Sequence, residues 1–223
     1  MADSGDVMVI GAGIVGCAVA CELARRGARV QVVDDRPAGM GATQASAGVL
    51  APYVEARDGG PLLDLAVRSL ALFDTFVASA SEASGTAVPY RRSGLLEVAL
   101  QDDTVHAFHR AAESLAARGI AADVLDARAV RDAEPQLTAD VRAGLLIPSY
   151  GFVAAGELMR ALAVAAERAG ARWLPPQRVT RLSPLAGSGL RVDTDRGTLT
   201  AATVVLAAGC WAGRIDIADV RTA

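Results

Sequence analysis

Six residues near the start of the chain, Gly11-Ala12-Gly13-Ile14-Val15-Gly16, have the types and spacing to hold a phosphate. Each glycine of this G-x-G-x-x-G pattern has its own duty. Gly11 permits a tight turn, Gly13 lacks the Cβ that would keep a pyrophosphate off the backbone amides, and Gly16 lets a following helix lie close to the preceding strand. A helix beginning at Ile14, with Val15 in its first turn, would turn its free N–H groups and positive dipole end toward such a ligand. Further on, Asp34 offers a carboxylate that accepts hydrogen bonds from ribose hydroxyls, and an acid there disfavours a 2′-phosphate. The chemistry these residues predict is a non-covalent grip on a dinucleotide.

Little else in the sequence could do chemistry. All 22 basic residues are arginine, against 25 acidic residues, for a net charge of −3. The absence of lysine excludes Schiff-base catalysis, a lysine-anchored pyridoxal phosphate and the lysine of a Walker A loop. No run of like charge can track a phosphate backbone or an anionic surface, so no nucleic-acid partner is expected. Cys17, Cys21 and Cys210 make no C-x-x-C pair and are expected to be reduced, which points to the cytoplasm, with Cys17 and Cys21 as core residues. His106 and His109, three residues apart on a predicted helix, read as a solvated face, and no metal site is expected.

The elements that must position the glycines follow from hydrophobic patterning. Val7–Ile10 is a short, β-branched apolar run suited to a strand buried on both faces, and Ile14–Arg26 has helical spacing. Gly27 ends that helix, 28–33 reads as a second strand, and Asp34-Asp35 closes a βαβ unit. The acidic start, Met1 to Asp6, argues against a signal peptide; the apolar run from Val7 to Cys21 contains three glycines and is soon followed by Glu22 and Arg25-Arg26, so no membrane insertion is expected. With 52% hydrophobic and only 4% aromatic residues, an α/β class is predicted: a Rossmann-like fold of helices on a buried parallel sheet.

The stretch from Gly39 to Pro52 is almost entirely small residues, which lets backbone amides reach an extended ligand where an NAD-binding domain would continue into its next helix. It favours FAD over NAD as the cofactor. Beyond it, a helix is predicted over 60–84, with Leu62, Leu63, Leu65, Ala66, Leu70, Leu72 and Phe73 on one side. A strand at 95–100, helices at 102–118 and 126–134 and a strand at 143–147 form a different pattern, assigned to a substrate domain. Helix 155–169, a small antiparallel meander from 179 to 200 and a buried last strand at 203–207 return to the first domain. The expected organisation is 1–88 as the first part of an FAD-binding domain, 89–148 as an inserted α+β substrate-domain segment, and 149–223 as the second part.

Several segments together resemble the FAD-dependent D-amino acid oxidase superfamily, and within it the glycine oxidase branch of thiamine biosynthesis. They are Val9-Ile-Gly-Ala-Gly-Ile-Val-Gly16, Asp34, Gly41-Ala-Thr-Gln-Ala-Ser-Ala-Gly-Val-Leu50, Tyr90 to Leu100, Leu145-Leu-Ile-Pro-Ser-Tyr-Gly-Phe-Val153 and Thr203-Val-Val-Leu-Ala-Ala-Gly-Cys-Trp-Ala-Gly213. The resemblance implies that Gly11, Gly13, Ile14, Val15 and Gly16 hold the pyrophosphate and that Asp34, with Asp35, holds the adenosine ribose. It gives Ala42, Thr43 and Gln44 to the phosphates and the ribityl chain, and Ala47, Gly48 and Val49 to the flavin ring. Val179 would meet the adenine through its backbone, and Ala208 and Gly209 would end the strand that returns beneath the cofactor.

The activity implied by this resemblance is oxidation of a small amino acid such as glycine to an imino acid, with hydride transfer to flavin N5 and peroxide formed on reoxidation. No catalytic acid or base is assigned; Tyr90, Arg91 and Arg92 are candidates for a substrate carboxylate, weighed against strand-edge residues in solvent. Two positions depart from the family: Asp34 stands where glutamate is frequent, and Val49 where many relatives have methionine. Relatives also continue for about another third of their length, with the carboxylate-gripping arginine there. The expectation is therefore an incomplete substrate domain, a complementary C-terminal polypeptide or subunit, and an oligomer. The alternative weighed is an FAD-binding subunit or fragment of a split dehydrogenase.

Overall fold

A computed structural model describes residues 6–56 and 59–218, so the outer limits of the expected domains, residues 1 and 223, lie outside the described residues. The chain divides into two compact units: residues 1–47, 73–89 and 154–223 in the first, and 48–72 and 90–153 in the second.

The first unit is built on a four-stranded parallel sheet in the order Thr203–Leu206, Val7–Ile10, Val30–Val33 and Arg172–Trp173. The strand Val7–Ile10 lies centrally and is nearly devoid of exposure, with Met8 and Val9 at 0%, as its unbroken apolar run predicts. Its side chains alternate between two faces. Met8 and Ile10 join Val33, Val179, Leu182 and Val192 in a core shared with the antiparallel meander of Val179–Pro184, Leu190–Thr194 and Gly197–Ala201. Val9 faces the helix Ile14–Arg25, whose own buried residues are Gly16, Cys17, Ala20, Cys21 and Ala24. Small side chains on that helix let it pack closely on both the sheet and the helix Ala155–Arg168. The sequence did not predict the short strand Asp216–Ile217, which pairs parallel with Val179–Pro184. The α/β class, with its Rossmann-like βαβ start, is the observed fold.

The second unit holds two three-stranded antiparallel sheets. One orders Val49–Leu50, Gly151–Val153 and Tyr90–Arg91; the other orders Leu95–Ala99, Ala143–Ile147 and Asp123–Asp126. The helix Asp102–Ala116 lays Phe108, Ala111 and Leu115 into a core with Leu145, Ile147 and Tyr150. The Tyr150 hydroxyl, buried in that core, accepts a hydrogen bond from the Tyr53 N–H at 2.9 Å. Residues 48–72, expected with the first FAD-binding segment, cluster in this unit. The cause is long-range pairing: Val49 stands opposite Phe152 in the sheet, and Leu63 and Leu70 pack into the same core.

The helix Pro61–Ser84 contributes to both units and corrects one expectation. Only Leu63 and Leu70 of the predicted stripe are buried, and Leu62, Leu65 and Leu72 are each more than 60% exposed. Adjacent residues are turned by about 100° on a helix, so Leu62 and Leu63 cannot share a face. Arg92, a candidate for a substrate carboxylate, instead donates to the carbonyls of Leu70 at 2.7 Å and Ser149 at 2.8 Å, tying two segments of the second unit. Among the described residues no helix is long and apolar enough to cross a membrane.

A candidate dinucleotide-binding site

The glycine turn joins the central strand to the first helix in the way its residue types require. Gly11 takes φ +106°, in the left-handed region that favours glycine, and its N–H donates to the Val33 carbonyl at 2.8 Å. A Cβ there would overlap the Ala207 carbonyl, whose carbon would lie at 2.7 Å. Gly16 is closed off in the same manner, since a Cβ would overlap the Gly11 carbonyl oxygen and approach its carbon at 3.0 Å. Gly13 differs from both. It has an ordinary φ of −73°, and a Cβ would meet only the Thr43 hydroxyl at 3.4 Å. Gly11 and Gly16 are thus demanded by the fold, while Gly13 leaves open the space that a phosphate would use.

Thr43 is buried and its Oγ1 accepts from the Ile14 N–H at 3.0 Å, so it caps the first helix from a distant segment. Val15 is 64% exposed in the same first turn, where the free helix amides point. Cys17 lies just behind the turn with its Sγ 3.6 Å from the Ala12 carbonyl oxygen. Burial above all, with the nearby Asp34 and Cys21, pushes its thiol up to about 12, and it serves packing rather than redox chemistry. Replacing Thr43 with valine keeps the shape and removes the cap. A loss of about 1 kcal/mol is expected, seen in a thermal melt as a fall of about 2–4 °C, and serine at this position should restore most of it.

Asp34 sits at the end of the second strand with both carboxylate oxygens engaged by backbone. One accepts from the Ala12 N–H at 2.7 Å and the other from the Arg36 N–H at 3.0 Å. The first of these bonds fixes the carboxylate against the glycine turn, and both together leave it further lone pairs for another donor. Asp35 is directed elsewhere. Its oxygens lie 2.8 Å from Arg178 Nε and 3.3 Å from Arg36 Nε, and the bond to Arg178 holds its carboxyl below the ordinary carboxylate range. The favourable effect of this pair is present above that range and fades only as the pH falls through and below it.

A cavity of about 370 Å³ opens between these groups, lined by Gly11, Asp34, Asp35, Val179 and Ala208 among others. The volume suits a small-ligand pocket, which runs from about 300 to 1,000 Å³. Of the residues predicted from sequence, these five meet at one place. Gly13 and Ile14 meet Thr43 instead, outside the cavity's lining. Ala42 and Gln44 lie exposed on the short helix Ala42–Ala45, and Ala47 and Gly209 are also exposed. Gly48 and Val49 belong to the second unit, where glycine is required at 48 both by its φ of +72° and because a Cβ would overlap the Val153 carbonyl. The sequence reading missed Arg36, Gln177, Arg178, Trp211 and Arg214, all in the cavity wall. Arg36 stacks over the Trp211 ring at 4.0 Å. One signal was available: Trp211 is one of only two tryptophans in the chain and follows Gly209 closely.

The FAD dependent oxidoreductase family, DAO, matches residues 6–222. The chain belongs to this family. As a member of it the protein has FAD as its cofactor, and the residues present fit that group: the space beside Gly13 is open except for the Thr43 hydroxyl, and Asp34, in the cavity wall with Val179 and Ala208, keeps lone pairs that a ribose hydroxyl could use. Among curated relatives of this family member, the glycine oxidase of Geobacillus kaustophilus is 33% identical over 211 residues, covering 94% of the chain and 56% of the relative. The bifunctional protein ThiO/ThiG of Synechocystis is 32% identical over 213 residues, covering 95% of the chain and 31% of its own length. The crystal structure of the Geobacillus glycine oxidase superposes with a TM-score of 0.90 at 32% identity, over 95% of this chain and 57% of that one. The chain therefore spans little more than half of the first relative and about a third of the second. The resemblance drawn from the motifs, the fold class and the cofactor all agree with these findings.

Proposed function

We propose that the protein oxidises the C–N bond of a small amino acid, glycine or a close relative, to the imino acid. The observation that carries this reading is the cavity in which Asp34, Val179 and Ala208 meet the Gly11 turn, taken with the likeness to a glycine oxidase over nearly the whole chain. Bound FAD would supply the two-electron oxidant. In this reading the first-turn amides from Gly13 to Gly16 hold the pyrophosphate and Asp34 takes the adenosine ribose. Ala42, Thr43 and Gln44 serve the phosphates and the ribityl chain. Ala47, Gly48 and Val49 flank the flavin ring, Val179 presents its backbone to adenine, and Ala208 and Gly209 support the cofactor from below. The substrate loses two electrons and two protons, which reach oxygen as hydrogen peroxide. A reducing compartment, the cytoplasm, suits the three free thiols.

The test is a flavin absorption spectrum of the purified protein, followed by an amino acid screen in air with peroxide as the readout. A yellow protein that makes peroxide with glycine supports the reading. A colourless protein that binds NAD, or a flavoprotein reduced by no amino acid, ends it. A flavin that is reduced by substrate without peroxide moves the acceptor from oxygen to another oxidant.

A further inference from the structure

Asp34 and Asp35 are adjacent carboxylates in the wall of one cavity, yet their surroundings give them different work. Asp34 is held by backbone N–H groups. Asp35 is held by two guanidiniums, Arg178 from the start of the meander and Arg36 from its own turn. Arg36 in turn lies over the Trp211 ring, 4.0 Å from its centroid, and Trp211 belongs to the short 3-10 helix Gly209–Arg214 after the strand Thr203–Leu206. Four side chains, Arg178, Asp35, Arg36 and Trp211, thus form a continuous belt along the cavity wall, and Asp35 is its only anion. The belt ties three segments that are far apart in sequence.

We propose that Asp35 is a positioning residue for the adenosine half of the cofactor, acting through Arg36 and Arg178 rather than by taking a ribose hydroxyl itself. The inference rests on the FAD-binding reading of this cavity. With both its oxygens committed to guanidinium nitrogens, Asp35 fixes Arg178 and adds a second restraint to Arg36, which Trp211 already holds from the other side, and a wall with fewer rotamers to lose binds a ligand more tightly. The pairs themselves are exposed, Arg178 by 69% and Arg36 by 38%, so they add little to the stability of the protein alone. The effect of losing them should therefore appear in cofactor affinity and not in the melting point of the cofactor-free protein.

The experiment is a titration of the cofactor-free protein with FAD and, separately, with FMN, which lacks the adenosine half. It compares the parent with Asp35→Asn, Arg178→Gln, the double variant and Asp35→Glu. The expected result is an FAD Kd raised about tenfold by Asp35→Asn and by Arg178→Gln alike, with the double variant no worse than either single one. FMN binding and the melting point of the cofactor-free protein should be unchanged, and Asp35→Glu should recover part of the loss. Three outcomes overturn the proposal. One is an unchanged FAD Kd in Asp35→Asn. Another is a loss in Asp35→Asn with none in Arg178→Gln, which would make Asp35 a direct ribose ligand. The third is an equal loss for FMN, which would make its role general. A parent protein that binds no FAD at all overturns the cofactor reading along with it.

Discussion

Gly16→Ala is expected to destabilise the protein by more than about 4 kcal/mol, a fall of at least about 8 °C in the melting temperature, and to abolish flavin binding. The new methyl group would occupy the position of the Gly11 carbonyl oxygen, so the collision is between two stretches of backbone. Neither can yield cheaply. Gly11 is pinned by its N–H bond to Val33 and by its own closeness to the Ala207 carbonyl, while the Ala207 N–H is bonded to Ile10 at 2.8 Å. Relief would require lifting the helix Ile14–Arg25 off the sheet, exposing Val9, Cys17 and Ala20, each 0% exposed. Gly13→Ala should behave in the opposite way. Its φ of −73° suits alanine and the added Cβ meets only the Thr43 hydroxyl, at 3.4 Å, so the fold and its melting point should survive while the methyl group stands where the proposed phosphate would lie. A flavin titration beside a thermal melt separates the two: Gly16→Ala loses both signals, Gly13→Ala only the first. A Gly16→Ala protein with parental stability would mean that helix and strand are not as close as described.

That contrast marks what the sequence could convey. The three glycines of one motif look alike on paper, and the pattern correctly placed a strand before them and a helix after them because those periodicities are local. Gly16 is fixed locally, by the Gly11 carbonyl five residues before it, but what closes off Gly11 is Ala207, nearly two hundred residues later, and what Gly13 faces is Thr43, and no local pattern holds that information. The same holds for Thr43, whose hydroxyl caps a helix that begins at Ile14, and for Trp211 and Arg178, brought to the cavity by strand order. The second unit was legible as alternating strands and helices, but residues 48–72 were assigned by adjacency to the FAD-binding part. Their membership is decided by antiparallel pairing of Val49–Leu50 with Gly151–Val153 across a hundred residues. Asp34, close in sequence to the glycine turn, was readable from local spacing, and Val179 and Ala208 were readable only through the family resemblance, while Arg178 and Trp211 carried no local pattern that brings them to the cavity.

Asp34→Ala should raise the Kd for FAD at least about a hundredfold, more than the loss of any other side chain in the cavity, because in the proposed function one carboxylate braces the turn and also takes the adenosine ribose. Its oxygens accept from the N–H groups of Ala12 and Arg36 at 2.7 and 3.0 Å, the first a bond that crosses from the second strand to the glycine turn and the second a local bond two residues on. Hydrogen bonds to a charged acceptor contribute about 1.5–3 kcal/mol each. Removing both should therefore cost the cofactor-free protein about 3 kcal/mol, and the ribose loses its acceptor as well. Asp34→Asn separates the two duties. The amide keeps the shape and one acceptor oxygen, so one of the two backbone N–H groups stays bonded and the other faces an NH2 group that cannot accept. About half the stability loss is expected, with an FAD Kd raised about tenfold, read from flavin titration and from the melting point with and without FAD. An asparagine variant that binds FAD as the parent does would confine this carboxylate to bracing the turn, and the ribose would then be held by other groups of the same wall, of which the Gln177 carboxamide, buried and bonded through its oxygen to Thr194, is the best placed.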